Sequence, residues 1–390
     1  MAELSVLPVK IGILGCAEIA RKLSRAIHLV PEDVCISAIG SRSESKAIQF
    51  AAANGFPVSA KVYGSYDAVL EDPDVDAIYM PLPTSLHLKW AVLAAQKQKH
   101  LLVEKPVAMH VDELDAILEA CDDNGVQYMD GTMLQHHPRS AKMREYLDDA
   151  EHFGQLRSII SCFTFAASPD YLANNIRTKP DLDGLGALGD IGWHCIRSIL
   201  WAADFELPKF AIALPGPVLN KAGVIISCGA SLHWEDGKTA TLNCSFLENL
   251  TMDVTLVGTK GTLHMHDFNI PFEEGRATFS TGTKVGVQMI CQPGGRSSTP
   301  SIRSLLILPQ ECLMLKEFSR LVANIKSNGA KPEKKWATYS RKTQLTMDPI
   351  KESVLQMGFQ KSRNCWLITG LVVCDRTPRH PVPGKVELVV

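Results

Sequence analysis

Five apolar or glycine positions around one lysine, Val9-Lys10-Ile11-Gly12-Ile13-Leu14, run directly into Gly15-Cys16-Ala17-Glu18-Ile19-Ala20, and this junction constrains the fold more than any other stretch. The first segment reads as a buried strand, and after the turn Ile19, Leu23, Ala26, Ile27 and Val30 recur at helical spacing. The unit repeats. Val34 to Ile39 predicts a strand before a helix over Ser43 to Ala53, Ala77 to Met80 one before His87 to Lys97, and His100 to Glu104 one before Val111 to Asp123. Gly125 stops that last helix, and Val126 to Met129 supplies a further short strand. Short apolar strands alternating with helices predict an α/β domain of Rossmann type over residues 7–130. It has a parallel sheet and a ligand crevice at the strands' carboxyl ends.

The period changes after about residue 150. Lys238 to Phe246 alternates, with Ala240, Leu242, Cys244 and Phe246 on one face and Thr239, Thr241, Asn243 and Ser245 on the other. Asp236-Gly237 joins it to Ile225–Trp234 as a tight hairpin, and Gly258-Thr259-Lys260-Gly261 joins Met252–Val257 to Thr262–Met265. A second, α+β domain over residues 131–353 is expected, built on a large open, mainly antiparallel sheet. Its Ser/Thr-lined face is suited to packing against its own copy, which predicts a homodimer.

Composition narrows the partners. The chain of 390 residues carries 40 Lys+Arg against 42 Asp+Glu, so no overall field draws it to nucleic acid or an anionic membrane; a small-molecule substrate is expected. The 11 cysteines form no CxxC pair and leave an odd count, as reduced thiols of a cytoplasmic protein would. The N-terminus has no basic, apolar leader, and the longest apolar run, Cys365 to Cys374, is too short to span a bilayer.

Gly15-x-Ala17-x-x-Ala20 keeps the first glycine and the small third residue of the dinucleotide fingerprint, with alanine at the central position. Backbone N–H groups at such a helix start, Ala17, Glu18 and Ile19 here, offset a pyrophosphate charge. The second strand ends Gly40-Ser41-Arg42-Ser43, with no acid to hold a ribose 2′-hydroxyl. Arg42, with Ser41 and Lys46, suits a 2′-phosphate, so NADP(H) is expected in preference to NAD(H). Arg42 and Lys46 also fit plain surface cations.

Lys105 directly follows an apolar strand in Glu104-Lys105-Pro106, at the edge where a nicotinamide would sit; a strand end capped by a surface ion pair is the alternative. Glu104 is placed to hold the ammonium or a ribose hydroxyl. Asp190 and His194, four apart after Gly184-Leu185-Gly186-Ala187-Leu188-Gly189, are expected to share a helix face as an oriented acid/base. A helix cap and a core histidine are the bland reading. Pro81 and His87 lie on the cofactor side, and His136-His137 fits the domain interface. His264-x-His266 puts two imidazoles on one strand face, but without a Cys or carboxylate at recognisable spacing no metal is expected.

In this order, the glycine turn, Pro81-x-Pro83-Thr84-x-x-His87, Glu104-Lys105-Pro106 and Asp190-x-Gly192-x-His194 together resemble the Gfo/Idh/MocA oxidoreductase family over residues 7–353. Gly186 to Trp193 looks most like its plant-type members similar to dimeric dihydrodiol dehydrogenases and NADP-dependent D-xylose dehydrogenases. The resemblance implies a Rossmann domain, a C-terminal α/β domain whose open sheet makes oligomers, and reversible oxidation of a secondary alcohol. It also implies that Lys105 is the catalytic lysine, with Asp190 and His194 as partners.

Three departures stand out. His194 replaces the Tyr common in the closest members, and an imidazole titrating near neutrality predicts activity that falls as it protonates. Leu134 stands where an aromatic often lines the pocket. The last helix opens at Ser340-Arg341-Lys342-Thr343 but is expected to break at Pro349, leaving residues 354–390 as an atypical tail. The expected activity is hydride transfer between NADP(H) and a secondary alcohol or carbonyl of a sugar, polyol or cyclic diol. In it Lys105 polarises the oxygen, His194 serves as acid/base, Asp190 orients His194 or a second hydroxyl, and Arg177 and Asp181 contact substrate. The rival is a non-catalytic NADP-binding regulatory protein of the same fold, against which the retention of Lys105 and His194 argues.

Overall fold

Every residue of the first strand except Lys10 is buried, which a strand achieves only when layers cover both faces of its sheet. A computed structural model describes residues 7–283, 301–305, 308–362, 365–368 and 371–374. In it β1 (Val9–Leu14), β2 (Val34–Gly40), β3 (Lys61–Tyr63), β4 (Ala77–Met80), β5 (His100–Val103) and β6 (Tyr128–Asp130) form a six-stranded sheet. All pairings are parallel and the order is β3-β2-β1-β4-β5-β6, so the order reverses between β1 and β4 and opens a crevice there. The linking helices are α1 (Glu18–Leu29), α2 (Glu44–Ala53), α3 (Tyr66–Glu71), α4 (His87–Gln96) and α5 (Val111–Asp123). Strand β3 and helix α3, three and six residues long, are too short to show a period, and the sequence did not reveal them.

The second sheet has nine strands: β7 (Leu156–Ala166), β8 (Phe210–Ala213), β9 (Val218–Leu219), β10 (Ile225–His233), β11 (Thr239–Ser245), β12 (Leu247–Gly258), β13 (Gly261–Met265), β14 (Arg276–Thr283) and β15 (Ser301–Leu305). The main order is β15-β14-β13-β12-β7-β11-β10-β8, antiparallel except for β7 with β11, while β9 pairs with β10. The long central strand β7 was missed because Ile159 and Ile160 are adjacent and break its alternation; the first is 1% exposed and the second 50%. The helix Trp193–Ala202, buried at every position but Trp201, packs on one face of this sheet; Ser198 on it meets Ser161 of β7 at 3.0 Å. The opposite face presents Ile160, Thr241, Thr255, Thr262 and His264.

Two later helices tie the layers together. Gln310–Asn328 returns to the first sheet, where Cys312, Leu315, Phe318 and Val322 join Val9, Ile11 and Val34 in one core. Lys316 pairs with Asp33 at 2.6 Å and Lys326 with Asp76 at 2.5 Å. The last helix runs unbroken from Lys335 to Ser362, so the expected break at Pro349 does not occur. Proline deletes one N–H, but Met347, Ile350 and Val354, all 0% exposed, anchor both sides of it in the core. Val354 therefore packs with the body of the protein rather than in a separate tail. Beyond it, β16 (Cys365–Ile368) and β17 (Leu371–Cys374) pair as an antiparallel hairpin.

Between the two sheets lies a buried polar knot. Arg197 of Trp193–Ala202 donates to Asp130 of β6 at 2.5 Å, to Gln135 at 3.1 Å and to Thr343 of the last helix at 2.8 Å. Among the described residues no helix is long and apolar enough to cross a membrane.

Candidate active site

Gly15 has φ +100°, a region that costs glycine nothing, and its N–H donates to the Gly40 carbonyl at 2.8 Å. The chain thereby turns sharply from β1 into α1. Ala17, in extended conformation, precedes the helix and supplies no side-chain cap, so the helix start keeps N–H donors for a ligand. Glu18 turns its carboxylate to Arg21 at 2.9 Å, which leaves its backbone, with Ala17 and Ile19, lining a cleft. The Leu14↔Gly40 pairing sets Ser41 and Arg42 beside this turn. Ser41 is buried and accepts the Ser43 N–H at 3.2 Å, Ser43 caps α2 at the Lys46 N–H, and exposed Arg42 hydrogen-bonds the Tyr66 hydroxyl. Lys46 lies close enough to act on the Cys16 thiol electrostatically.

The cleft, of about 770 Å³, runs from Ala17, Glu18 and Ile19 to Tyr171, Asn175, Arg177 and Asp190. Lys105, after β5 and joined to Pro106 by a cis peptide, donates to the Asp190 carbonyl and to its Oδ1, each at 2.8 Å. Arg177 Nε donates to the same Oδ1 at 3.0 Å, and the Tyr171 hydroxyl also reaches Asp190. Burial alone would raise the Asp190 pKa, but the charges of Lys105 and Arg177 and the Lys105 hydrogen bond hold it well below the usual carboxylate range. The carboxylate is therefore ionised and its two cations are fixed. The uncapped helix start and the Gly15 turn fit the phosphates of a dinucleotide.

Several expected residues stand elsewhere. Asp181 is exposed; besides Asp190, the acid that engages Arg177 is the fully buried Asp183, at 3.0 Å from Nη1, which also accepts the Thr84 hydroxyl. His87 offers nothing to a ligand, because its two ring nitrogens are held at 2.9 Å by the carbonyls of Leu82 and Val107. It braces the segments after β4 and β5. Pro81 is buried at the end of β4. Glu104 accepts from the Tyr79 hydroxyl at 2.7 Å and from the Lys105 N–H at 3.3 Å, not from the ammonium; burial pushes its pKa up against those bonds. Leu134 is buried in the core rather than lining the cleft. His136 stacks on Trp336 at 4.4 Å, and His137 caps the helix Pro138–Leu147 through the Arg139 N–H.

Asp190 and His194 lie close enough to act on each other's charge, but among the described residues no hydrogen bond joins them. Residues Leu188–Gly192 make a π-helical turn, so a spacing of four does not place the two side chains as an α-helix would. Among the described residues the His194 ring makes no hydrogen bond, which leaves its nitrogens available; Phe163 lies 6.0 Å from it. Burial, and then the charge of Lys105, depress its pKa well below the ordinary histidine value, so titration near neutrality is overturned. The ring stays in its proton-accepting form until pH falls through that depressed value. Activity is thus expected not to fall through His194 between about pH 8.5 and 5.5. A pH–rate profile checks this, and a limb near 6.5 that His194→Asn removes would contradict it.

Residues 9–132 match the oxidoreductase family with an NAD-binding Rossmann fold, and residues 140–264 match the GFO/IDH/MocA C-terminal domain. The chain belongs to the Gfo/Idh/MocA oxidoreductase family. Among its relatives is a D-xylose 1-dehydrogenase (NADP(+)) of Haloferax volcanii, 32% identical over 283 residues, spanning 70% of this chain and 81% of that protein. A trans-1,2-dihydrobenzene-1,2-diol dehydrogenase of Danio rerio is 28% identical over 253 residues, 65% of this chain and 72% of its own. A 3-ketoreductase from Actinomadura kijaniata, solved with NADP and TDP-benzene, superposes with a TM-score of 0.74 at 26% identity. The match covers 89% of this chain and 98% of that one. Like this chain, Gfo/Idh/MocA proteins join an NAD-binding Rossmann domain to a C-terminal domain of their own type.

Proposed function

We propose that this Gfo/Idh/MocA protein transfers hydride between NADP(H) and a secondary alcohol or carbonyl of a sugar, polyol or cyclic diol. Residues 7–130 hold the cofactor, and residues 131–353 supply most of the substrate pocket. The observation that carries the reading is the Lys105–Asp190–Arg177 cluster at the far end of the cleft that begins at the phosphate turn. When bound, the nicotinamide accepts or gives the hydride. Lys105 gives up one bond to Asp190 and donates to the substrate oxygen, stabilising the negative charge that gathers there. Neutral His194 takes the hydroxyl proton during oxidation and returns it during reduction. Asp190, locked between two cations, keeps the ammonium aimed, and Arg177 retains Nη2 for a second substrate hydroxyl.

The test is NADPH oxidation with a panel of dicarbonyls and aldoses, in wild type and Lys105→Ala. Tight NADPH binding with no turnover anywhere would favour a regulatory role instead. Arg42 carries the choice of cofactor in this reading. Arg42→Ala is expected to weaken NADP(H) about tenfold or more, as the loss of a charge-assisted bidentate contact would, while NAD(H) changes little. Titration with both nucleotides checks it, and equal losses would refute the assignment. The half-exposed Ser/Thr face of the second sheet supports a homodimer, and the eight cysteines found free support a cytoplasmic setting.

A further inference from the structure

We infer that the open face of the second sheet carries a site for a divalent transition-metal ion, Zn²⁺ above all, formed by Asp253, His264 and His266. His264 and His266 are two apart along one strand direction and so share a face. His266 stands one step beyond the Val254↔Met265 pair, directly across from Asp253 of β12, a juxtaposition that linear spacing cannot reveal. Its Nδ1 lies 2.9 Å from Asp253 Oδ1, and the two imidazole centroids are 4.0 Å apart. One donor atom from each of the three residues lies within 4.8 Å of the others, a spread that small side-chain rotations close around a single ion.

The donor set selects the metal. Two imidazoles and one carboxylate suit Zn²⁺ and its neighbours, whereas Ca²⁺ and Mg²⁺ require mostly oxygen. An ordinary His–Asp hydrogen bond would account for His266 but not for His264, which makes no hydrogen bond among the described residues. The register neighbours on this face, Thr255, Ser280 and Cys162, carry no positive charge to repel an ion. Three protein ligands leave at least one coordination position for water or for a side chain of the facing copy in the proposed homodimer.

Calorimetric titration of the full chain with ZnCl₂ is the test. One saturable site per chain is expected, weakened about a hundredfold or more in His264→Ala and in His266→Ala and about tenfold or more in Asp253→Asn. His152→Ala and His233→Ala, exposed histidines away from the cluster, should leave it intact, and unaltered NADPH binding in every variant shows that each folds. No saturable site, a site that survives both cluster histidine substitutions, or one lost only in Cys162→Ser would overturn the inference.

Discussion

Replacing Lys105 by alanine is expected to lower kcat on the order of 10³-fold, equivalent to about 4 kcal/mol of transition-state stabilisation, with NADPH affinity nearly unchanged. Lys105 is held by the ionised Asp190, which lines the cleft, and in the proposed reaction it donates to the substrate oxygen. The fold should survive, because Arg177 still neutralises Asp190 at 3.0 Å. Lys105→Arg should rescue little: its planar fork cannot present a compact ammonium at the same point. Steady-state kinetics paired with nucleotide titration separate the outcomes. Unchanged kcat, or loss of NADPH binding in step with activity, would remove Lys105 from the chemistry.

The second large effect is structural. Arg197→Ala is expected to cost about 3–5 kcal/mol of stability, the range for stripping one partner from a buried ion pair. Arg197 is fully buried, and its removal strands Asp130 with only the Ser340 hydroxyl and the Thr132 N–H. Burial would raise the Asp130 pKa, but the charge of Arg197 and those hydrogen bonds hold it below the ordinary carboxyl value. Its contribution is therefore fully present above the unfolded carboxyl value and is lost as pH falls through the folded one. Arg197→Met combined with Asp130→Asn should recover part of the loss, since no lone charge is then left inside. Urea unfolding at neutral pH measures both, and a single-variant cost under about 1 kcal/mol would show that the knot does not join the two sheets energetically.

What the sequence disclosed was whatever local pattern encodes. The apolar run into Gly15 fixed the first βα unit, and Lys105 after β5 needed only its place at a strand end. Asp190 and Arg177 were recognisable from the glycine-rich stretch and its approach. Most of the failures depended on contacts that no local pattern encodes. Asp183 was passed over for Asp181 because its partners, Arg177 and Thr84, lie on the short 3-10 turn Ile176–Thr178 and on the segment after β4. His87 reads like a pocket histidine until the carbonyls of Leu82 and Val107 close on it. Asp253 lies 13 residues from His266 in sequence and opposite it in space. The expected His194 titration failed for a related reason, because burial and the charge of Lys105, after β5, depress its pKa. Pro349 misled because a local rule against proline in helices was overridden by core packing on both sides.

The claim that the cleft runs from a phosphate turn to a working Lys105 and His194 is tested most directly by following the transferred hydrogen. NADPH deuterated at nicotinamide C4 should deliver its label to the new carbinol carbon of at least one dicarbonyl or aldose, and delivery should collapse in Lys105→Ala while the cofactor remains bound. Bound NADPH that releases no deuterium to any substrate in the wild-type protein would contradict the account.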